Sequence, residues 1–253
     1  YLGGESQPYQ QWAEHFCHLG PSDFAAFRVY GLKRDRLPEL RARLAPWYLR
    51  RTSDVLDLPP LRWGTLPVES KQAIRSLKKA LLTMKEEREG YTRLSRIVRT
   101  ASDDEVLEAL ERSPHTATIQ RLTALAKLPA LLEEIDRQLD HGLEKVVLFA
   151  HHREVIHALE EHFDGTGVGY RSLHGGTTPT AKEEAVFTFQ DRASCRVFIG
   201  QTQAAGVGLT LTAADRAIFV ESSWTPADMS QAAKRIHRIG QDKSCLVQVA
   251  SLV

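Results

Sequence analysis

Hydrophobic positions in the second half of the chain fall into short, nearly unbroken runs separated by stretches of helical period. The segments 145–149 (KVVLF), 168–173, 196–199, 217–220 (AIFV) and 246–253 read as strands. Between them, 152–162, 179–189 and 226–239 read as helices. A further helix face is made by Leu131, Leu132, Ile135 and Leu139 and closed by Gly142. Strands apolar on both sides, alternating with helices, predict a parallel sheet covered on both faces. Right-handed crossovers make it an open α/β sheet, whose ligands gather beyond the carboxyl ends of the strands.

The first half has another texture. Over 69–113, Ile74, Leu77, Leu81 and Met84 recur at helix spacing, while Lys71, Arg75, Lys78 and Lys79 occupy a second, solvent-facing side. Ser102-Asp103-Asp104-Glu105 has the form of a helix start, with acids at the positive end of the dipole. The same acids resemble a metal-binding box, but no apolar strand precedes them. Between Arg28 and Arg51 eight basic residues face only Asp35 and Glu39, a local excess of six. That is a solvated surface or a phosphate contact. Pro59-Pro60 ends any helix there.

Composition narrows the class without naming it. The 253 residues carry 33 Lys and Arg against 32 Asp and Glu, with 42% hydrophobic positions, as in ordinary globular domains. No apolar run approaches the ~20 residues of a membrane span. Cys17, Cys195 and Cys245 are scattered and odd in number, which fits neither a disulfide framework nor a zinc site. The chain begins at Tyr1, so a processed start or a position inside a longer protein is expected.

Two segments could carry chemistry. The first, 200–214 (GQTQAAGVGLTLTAA), follows a strand. Gly206 and Gly208 let a backbone approach a phosphate, with Thr202, Thr210 and Thr212 beside them. The second is 231–241 (QAAKRIHRIGQ). At about 100° per helical residue, Gln231, Arg235 and Arg238 fall within about 60° of one another, beside an apolar stripe. Two permanently charged forks on a rigid helix suit a phosphoryl group in transition. Other patterns fail on context. Gly165-Thr-Gly-Val-Gly169 precedes a strand instead of following one. His151 and His152 are expected to point apart, and no metal site is expected at the histidines. No Gly-Lys pair and no G-x-S-x-G occur.

Together these segments resemble the C-terminal motor lobe of Swi/Snf-type DNA translocases of the superfamily-two helicase group. KVVLFAHHREVIHAL (145–159), YRSLHGGTTPT (170–180), GQTQAAGVGLTLTAADRAIFVE (200–221) and WTPADMSQAAKRIHRIGQ (224–241) follow the order of that family's motifs. Phe149-Ala150-His151-His152 is similar to the annealing-helicase (HARP-like) branch, and LAPWYLRRTSDVLDLPP (44–60) resembles the segment leaving the first lobe. The resemblance implies an α/β, RecA-like lobe with a parallel sheet flanked by helices, plus an N-terminal helical insertion and linker. It divides the chain into 1–60 (tail of the first lobe and linker), 61–125 (helical insertion) and 126–253 (second lobe). It implies arginine fingers at Arg235 and Arg238, a nucleotide side at Gly206, Gly208 and Gln231, and DNA contacts at Thr202, Gly175, Gly176, Thr177, His151 and His152. The implied partners are double-stranded DNA, met through its phosphate backbone, and a first motor lobe that holds most of ATP with Mg2+. Nothing in the chain matches that lobe's phosphate loop or acidic box, so 1–253 alone is expected to hydrolyse no ATP. Lys234 stands where an acid is usual and Ala205 where glycine is common, the former expected to weaken a pairing that holds the fingers. A binding lobe without ATPase activity, and an α/β transferase or RNA helicase, stand as the other readings.

Overall fold

The computed structural model describes residues 9–21, 27–46, 56–83, 102, 105–106, 116–202, 208–223 and 225–253. Met84, Asp103, Asp104, Ala205, Gly206 and Trp224 lie outside the described residues.

The chain forms two compact units, Tyr1–Leu56 and Asp57–Val253. The first holds α1 (Tyr9–Phe16), an antiparallel pair β1 (Cys17–Gly20) and β2 (Arg28–Leu32), and α2 (Leu37–Leu44). Its core is Phe16, Cys17 and Leu40, with Trp12, Leu19 and Leu44 against them. The basic excess is partly gathered here: Glu39 accepts from Arg43 at 3.0 Å and Arg36 at 3.4 Å, and meets His15 at 2.9 Å. The bond to His15, more than the arginines, holds the Glu39 carboxyl below its usual range.

The second unit runs β3 (Leu61–Val68), α3 (Lys71–Thr83), α4 (Thr116–Asp140), β4 (Val146–Ala150), α5 (Arg153–Thr166), β5 (Gly169–Leu173), α6 (Pro179–Asp191), β6 (Cys195–Gln201), β7 (Arg216–Phe219), α7 (Pro226–Ala233) and β8 (Cys245–Leu252). Six strands make one parallel sheet in the order β3-β8-β7-β4-β6-β5, five of them at the apolar runs. Alternation along β4 explains why no polar residue interrupts it. Val146, Leu148 and Ala150 join α4 and α5 on one face, while Val147 and Phe149 join α6 and α7 on the other. All five are fully buried. Phe149 and Phe219 stack at 4.9 Å across adjacent strands, each burying about 2 kcal/mol of apolar surface.

The first third of this unit differs from expectation. Residues 61–68, expected in a helical insertion, form the edge strand β3, in register with β8 from Leu61↔Cys245 to Val68↔Leu252. The boundary expected at 125/126 falls inside α4, which runs unbroken through Pro129. Long-range pairing overrides local texture here: Leu66 and Val68 are buried in the sheet core, and Ala124 to Leu139 make one continuous buried stripe. The capping reading at Ser102 holds. Ser102 N donates to the Glu105 carboxylate at 2.8 Å and Glu105 N to the Ser102 hydroxyl at 3.4 Å, a reciprocal box. Gly169 is set by close approach, since a Cβ there would stand 2.1 Å from the Ser194 carbonyl oxygen.

Candidate nucleotide and DNA face

The chain reverses its course beside β4. From β4 it builds β5 and β6 on one side, then crosses over and lays β7 on the other, so the carboxyl end of β4 is a switch point. His151 and His152 sit there, immediately after the strand. Glu221, which follows β7, is fully buried and meets them with both carboxylate oxygens. Oε2 accepts from His151 N at 2.7 Å and His152 N at 2.9 Å, and Oε1 takes His152 Nδ1 at 2.5 Å. The two imidazoles pack edge to face 4.9 Å apart instead of pointing apart, because one carboxylate draws both residues in. A second polar side chain extends this cluster. Gln201 donates to the His151 carbonyl at 3.1 Å and accepts from Gly175 N at 2.9 Å. It ties the ends of β4, β6 and β5 together.

Most of the residues expected at DNA therefore meet at one end of three adjacent strands. Gly175 and Gly176 are exposed and Thr177 half-buried. Their N–H groups are occupied: Gly175 by Gln201, Gly176 by His174 Nδ1 at 3.3 Å, Thr177 by the His174 carbonyl at 3.0 Å. Ala181 N, in the first turn of α6, goes to the Thr178 hydroxyl at 3.3 Å. Thr202 departs further. It is 2% exposed, and its hydroxyl donates to the Ala150 carbonyl at 3.2 Å, so it braces the sheet.

The arginines form a separate place. After β6 the connection to β7 crosses the sheet face covered by α6 and α7, and Leu209, Leu211, Ala213 and Ala214 pack there. Gly208, at φ +71, begins the described part of this crossing in a left-handed conformation suited to glycine. The continuous helix expected over 226–239 is not formed, since α7 ends at Ala233 and 234–240 is a succession of turns. Beyond Ala233 the bonds tighten, Arg235 N reaching the Ala232 carbonyl at 3.0 Å and Ile236 N that of Ala233 at 3.2 Å, and farther on tertiary partners take the carbonyls a helix would use. A helix would need the Arg235 carbonyl for residue 239, but Leu211 N takes it at 2.9 Å. It would need the Ile236 carbonyl for residue 240, but Gln241 Nε2 takes that at 2.9 Å. Helix-wheel angles consequently do not place the two guanidiniums.

Tertiary bonds place them instead. Arg238 Nη1 donates to the Leu209 carbonyl at 3.1 Å, and Arg235 is half-buried. Burial, then the charge of Arg238, lowers the Arg235 guanidinium from its usual range. Gln231, expected with them, is exposed on α7. Lys234 is exposed just beyond the last residue of α7, where its side chain makes no hydrogen bond or ion pair among the described residues. The contacts described for the arginine segment run to Leu209, Leu211 and Gln241.

Sequence reading singled out neither Glu221, Gln201, Gln241 nor Lys127. Three of them break an otherwise apolar context, which was the available signal: Glu221 extends AIFV, Gln201 extends VFIG, and Lys127 lies on the buried stripe of α4, whereas Gln241 opens the polar run QDKS and carries no such signal. Lys127 donates to the Ala250 carbonyl at 2.5 Å. Burial pulls its amine down to about 8, against the opposing pull of Glu221.

Residues 126–240 match the family described as helicase conserved C-terminal domain. The whole chain is similar to the SWI/SNF-related matrix-associated actin-dependent regulator of chromatin subfamily A-like protein 1 of Drosophila melanogaster. The two are 32% identical over 96% of this chain and 30% of that protein. The Xenopus tropicalis protein of the same name is 37% identical over 48% of this chain and 13% of its own length. The chromatin-remodeling ATPase INO80 of Aspergillus oryzae is 37% identical over 47% of this chain and 8% of its own. The chain therefore spans less than a third of these relatives. Among solved structures, the C-terminal part of the Fun30 ATPase domain aligns at TM-score 0.45 and 23% identity, over 71% of this chain and 60% of that one. The Sulfolobus solfataricus SWI2/SNF2 ATPase core in complex with dsDNA aligns at 0.48 and 22%, over 85% and 47%.

Proposed function

From the premise that residues 126–240 are a helicase conserved C-terminal domain of the Swi/Snf kind, we propose that the chain is the second, RecA-like motor lobe of an ATP-driven double-stranded-DNA translocase. The observation that carries this is the pair Arg235 and Arg238, close enough for one charge to shift the other and both stitched to the 208–211 crossing. Hydrolysis spreads negative charge over the γ-phosphoryl oxygens, and preset guanidiniums stabilise that charge without reorganising. Arg235 and Arg238 act as the fingers, reaching ATP with Mg2+ held mainly by a first lobe. Gly208 and Gln231 are assigned to the nucleotide side.

The duplex is met at the other place. His151, His152, Gly175, Gly176 and Thr177 form the surface that tracks phosphates, a contact indifferent to base sequence. Thr202 serves it from beneath, by bracing the loop after β4. Residues 1–253 alone hydrolyse no ATP.

The test is Arg238→Ala in the intact two-lobe protein. DNA-stimulated ATP turnover falls by on the order of 10³-fold, while affinity for duplex DNA stays near wild type. Unchanged turnover removes the finger assignment. Duplex affinity that ignores salt concentration removes the phosphate-tracking surface.

A further inference from the structure

The arginine segment is not a helix, so something other than helical hydrogen bonding must hold it. The structure assigns this to Gln241: we infer that its buried carboxamide is a positioning residue that locks the Arg235–Arg238 turn onto the β6–β7 crossing. This rests on the motor reading given above.

Gln241 is 6% exposed and saturated with partners. Its Nε2 lies 2.9 Å from the Ile236 carbonyl, 3.1 Å from that of Thr212 and 3.0 Å from that of Ala214, so its two hydrogens are shared among three acceptors. Its Oε1 accepts from Lys243 N at 2.9 Å. Ile236 lies between the two arginines. Thr212 and Ala214 belong to the crossing that supplies the Leu209 carbonyl to Arg238 and the Leu211 N–H to Arg235. One planar amide thus joins the arginine-bearing turn to the backbone on which Arg238 rests. No other side-chain type does all of this. A carboxylate has no N–H for the three carbonyls, and an apolar chain of similar length leaves them buried and unmet. The crossing is held from its other side by Gln190 of α6, which donates to the Thr212 hydroxyl at 3.1 Å and accepts from Ala213 N at 2.8 Å. Gln190 touches neither arginine's turn, so it is the natural control for a purely structural contact.

A double-mutant cycle separates positioning from bulk stability. Single-turnover ATP hydrolysis by the intact protein, with enzyme in excess and duplex DNA saturating, keeps very slow rates measurable. Gln241→Met is expected to slow the chemical step by about 10-fold or more in the wild-type background and by less than about 3-fold when Arg238 is already alanine. Duplex affinity stays near wild type. Gln190→Met is expected to cost the same factor in both backgrounds. If Gln241→Met does not accumulate as folded protein, Gln241→Asn, which keeps a neutral amide but draws it back from the three carbonyls, takes its place in the cycle. Equal losses from the Gln241 variant with and without Arg238, or no loss at all, overturn the positioning role while leaving the fingers in place. Arg238→Ala that leaves turnover intact overturns the fingers and the positioning role together.

Discussion

Each of the two candidate places is stitched by one buried side chain, and the two side chains differ in kind. At the carboxyl end of β4 it is a charge: Glu221, wholly enclosed, takes two backbone N–H groups and an imidazole from His151 and His152. Beneath the arginines it is a neutral amide: Gln241 gathers three carbonyls. The difference follows from what each must hold. A loop that presents N–H groups inward needs an acceptor, and an ionised carboxylate makes the stronger charge-assisted bonds. A turn that presents carbonyls inward needs a donor. A buried amine there would add a third cation beside two guanidiniums, whereas an amide donates without charge. Polar residues inside a sheet protein are chosen by the sign of the backbone groups they face.

This contrast can be broken by experiment. The largest effect is expected from Glu221→Ala, which strands three donors and leaves the buried amine of Lys127 without its opposing charge. Urea unfolding should show a loss of about 3–5 kcal/mol, and a loss as small as that of a neutral contact would show that the charge is not what holds this end. Next is a dependence on pH, which only the charged place should show. Burial holds the Lys127 amine at about 8 against an ordinary 10.5. Below about 8 the folded chain bears the whole cost of a buried cation. Between about 8 and 10.5 the folded chain has released a proton that the unfolded chain still holds, so stability rises with pH. The stability difference between wild type and Lys127→Met should therefore change by about 3 kcal/mol across that window. A difference that stays flat places the amine in water. The smallest effect belongs to Gln190→Met, about 1–2 kcal/mol for leaving Ala213 N and the Thr212 hydroxyl unmet, and it should be the same at pH 7 and pH 10. Any pH dependence there would blur the distinction.

The parallel sheet was readable because its central strand, Val146–Ala150, is apolar and buried at every position and its neighbours carry short apolar runs, a pattern that burial on both faces produces. The residues expected at DNA were readable as neighbours because strand ends in such a sheet share one edge. What misled was local reading of long-range features. The segment 61–68, with Arg62, Trp63 and Gly64, has no strand texture, and it is a strand because β8 offers a parallel partner along all eight residues. Thr202 looked like a free hydroxyl until the Ala150 carbonyl was found beside it. Glu221 was visible only as a polar residue at the end of an apolar run, and Gln241, opening the polar run QDKS, was not marked at all.

The chain by itself determined that there is an α/β lobe, that five runs are strands of a parallel sheet, and that two arginines lie three residues apart after the segment 226–233. These depend on composition and period, which are local. The tertiary structure alone decided that 234–240 does not carry the helix through to Ile239, and that Glu221 and Gln241 are the enclosed polar side chains at the centre of the two places. The reason is competition for backbone hydrogen bonds. The helical pattern of 226–239 satisfies its own carbonyls only until Leu211 N and the Gln241 amide reach them first, and those partners come from 24 residues upstream and from the turn's own far end.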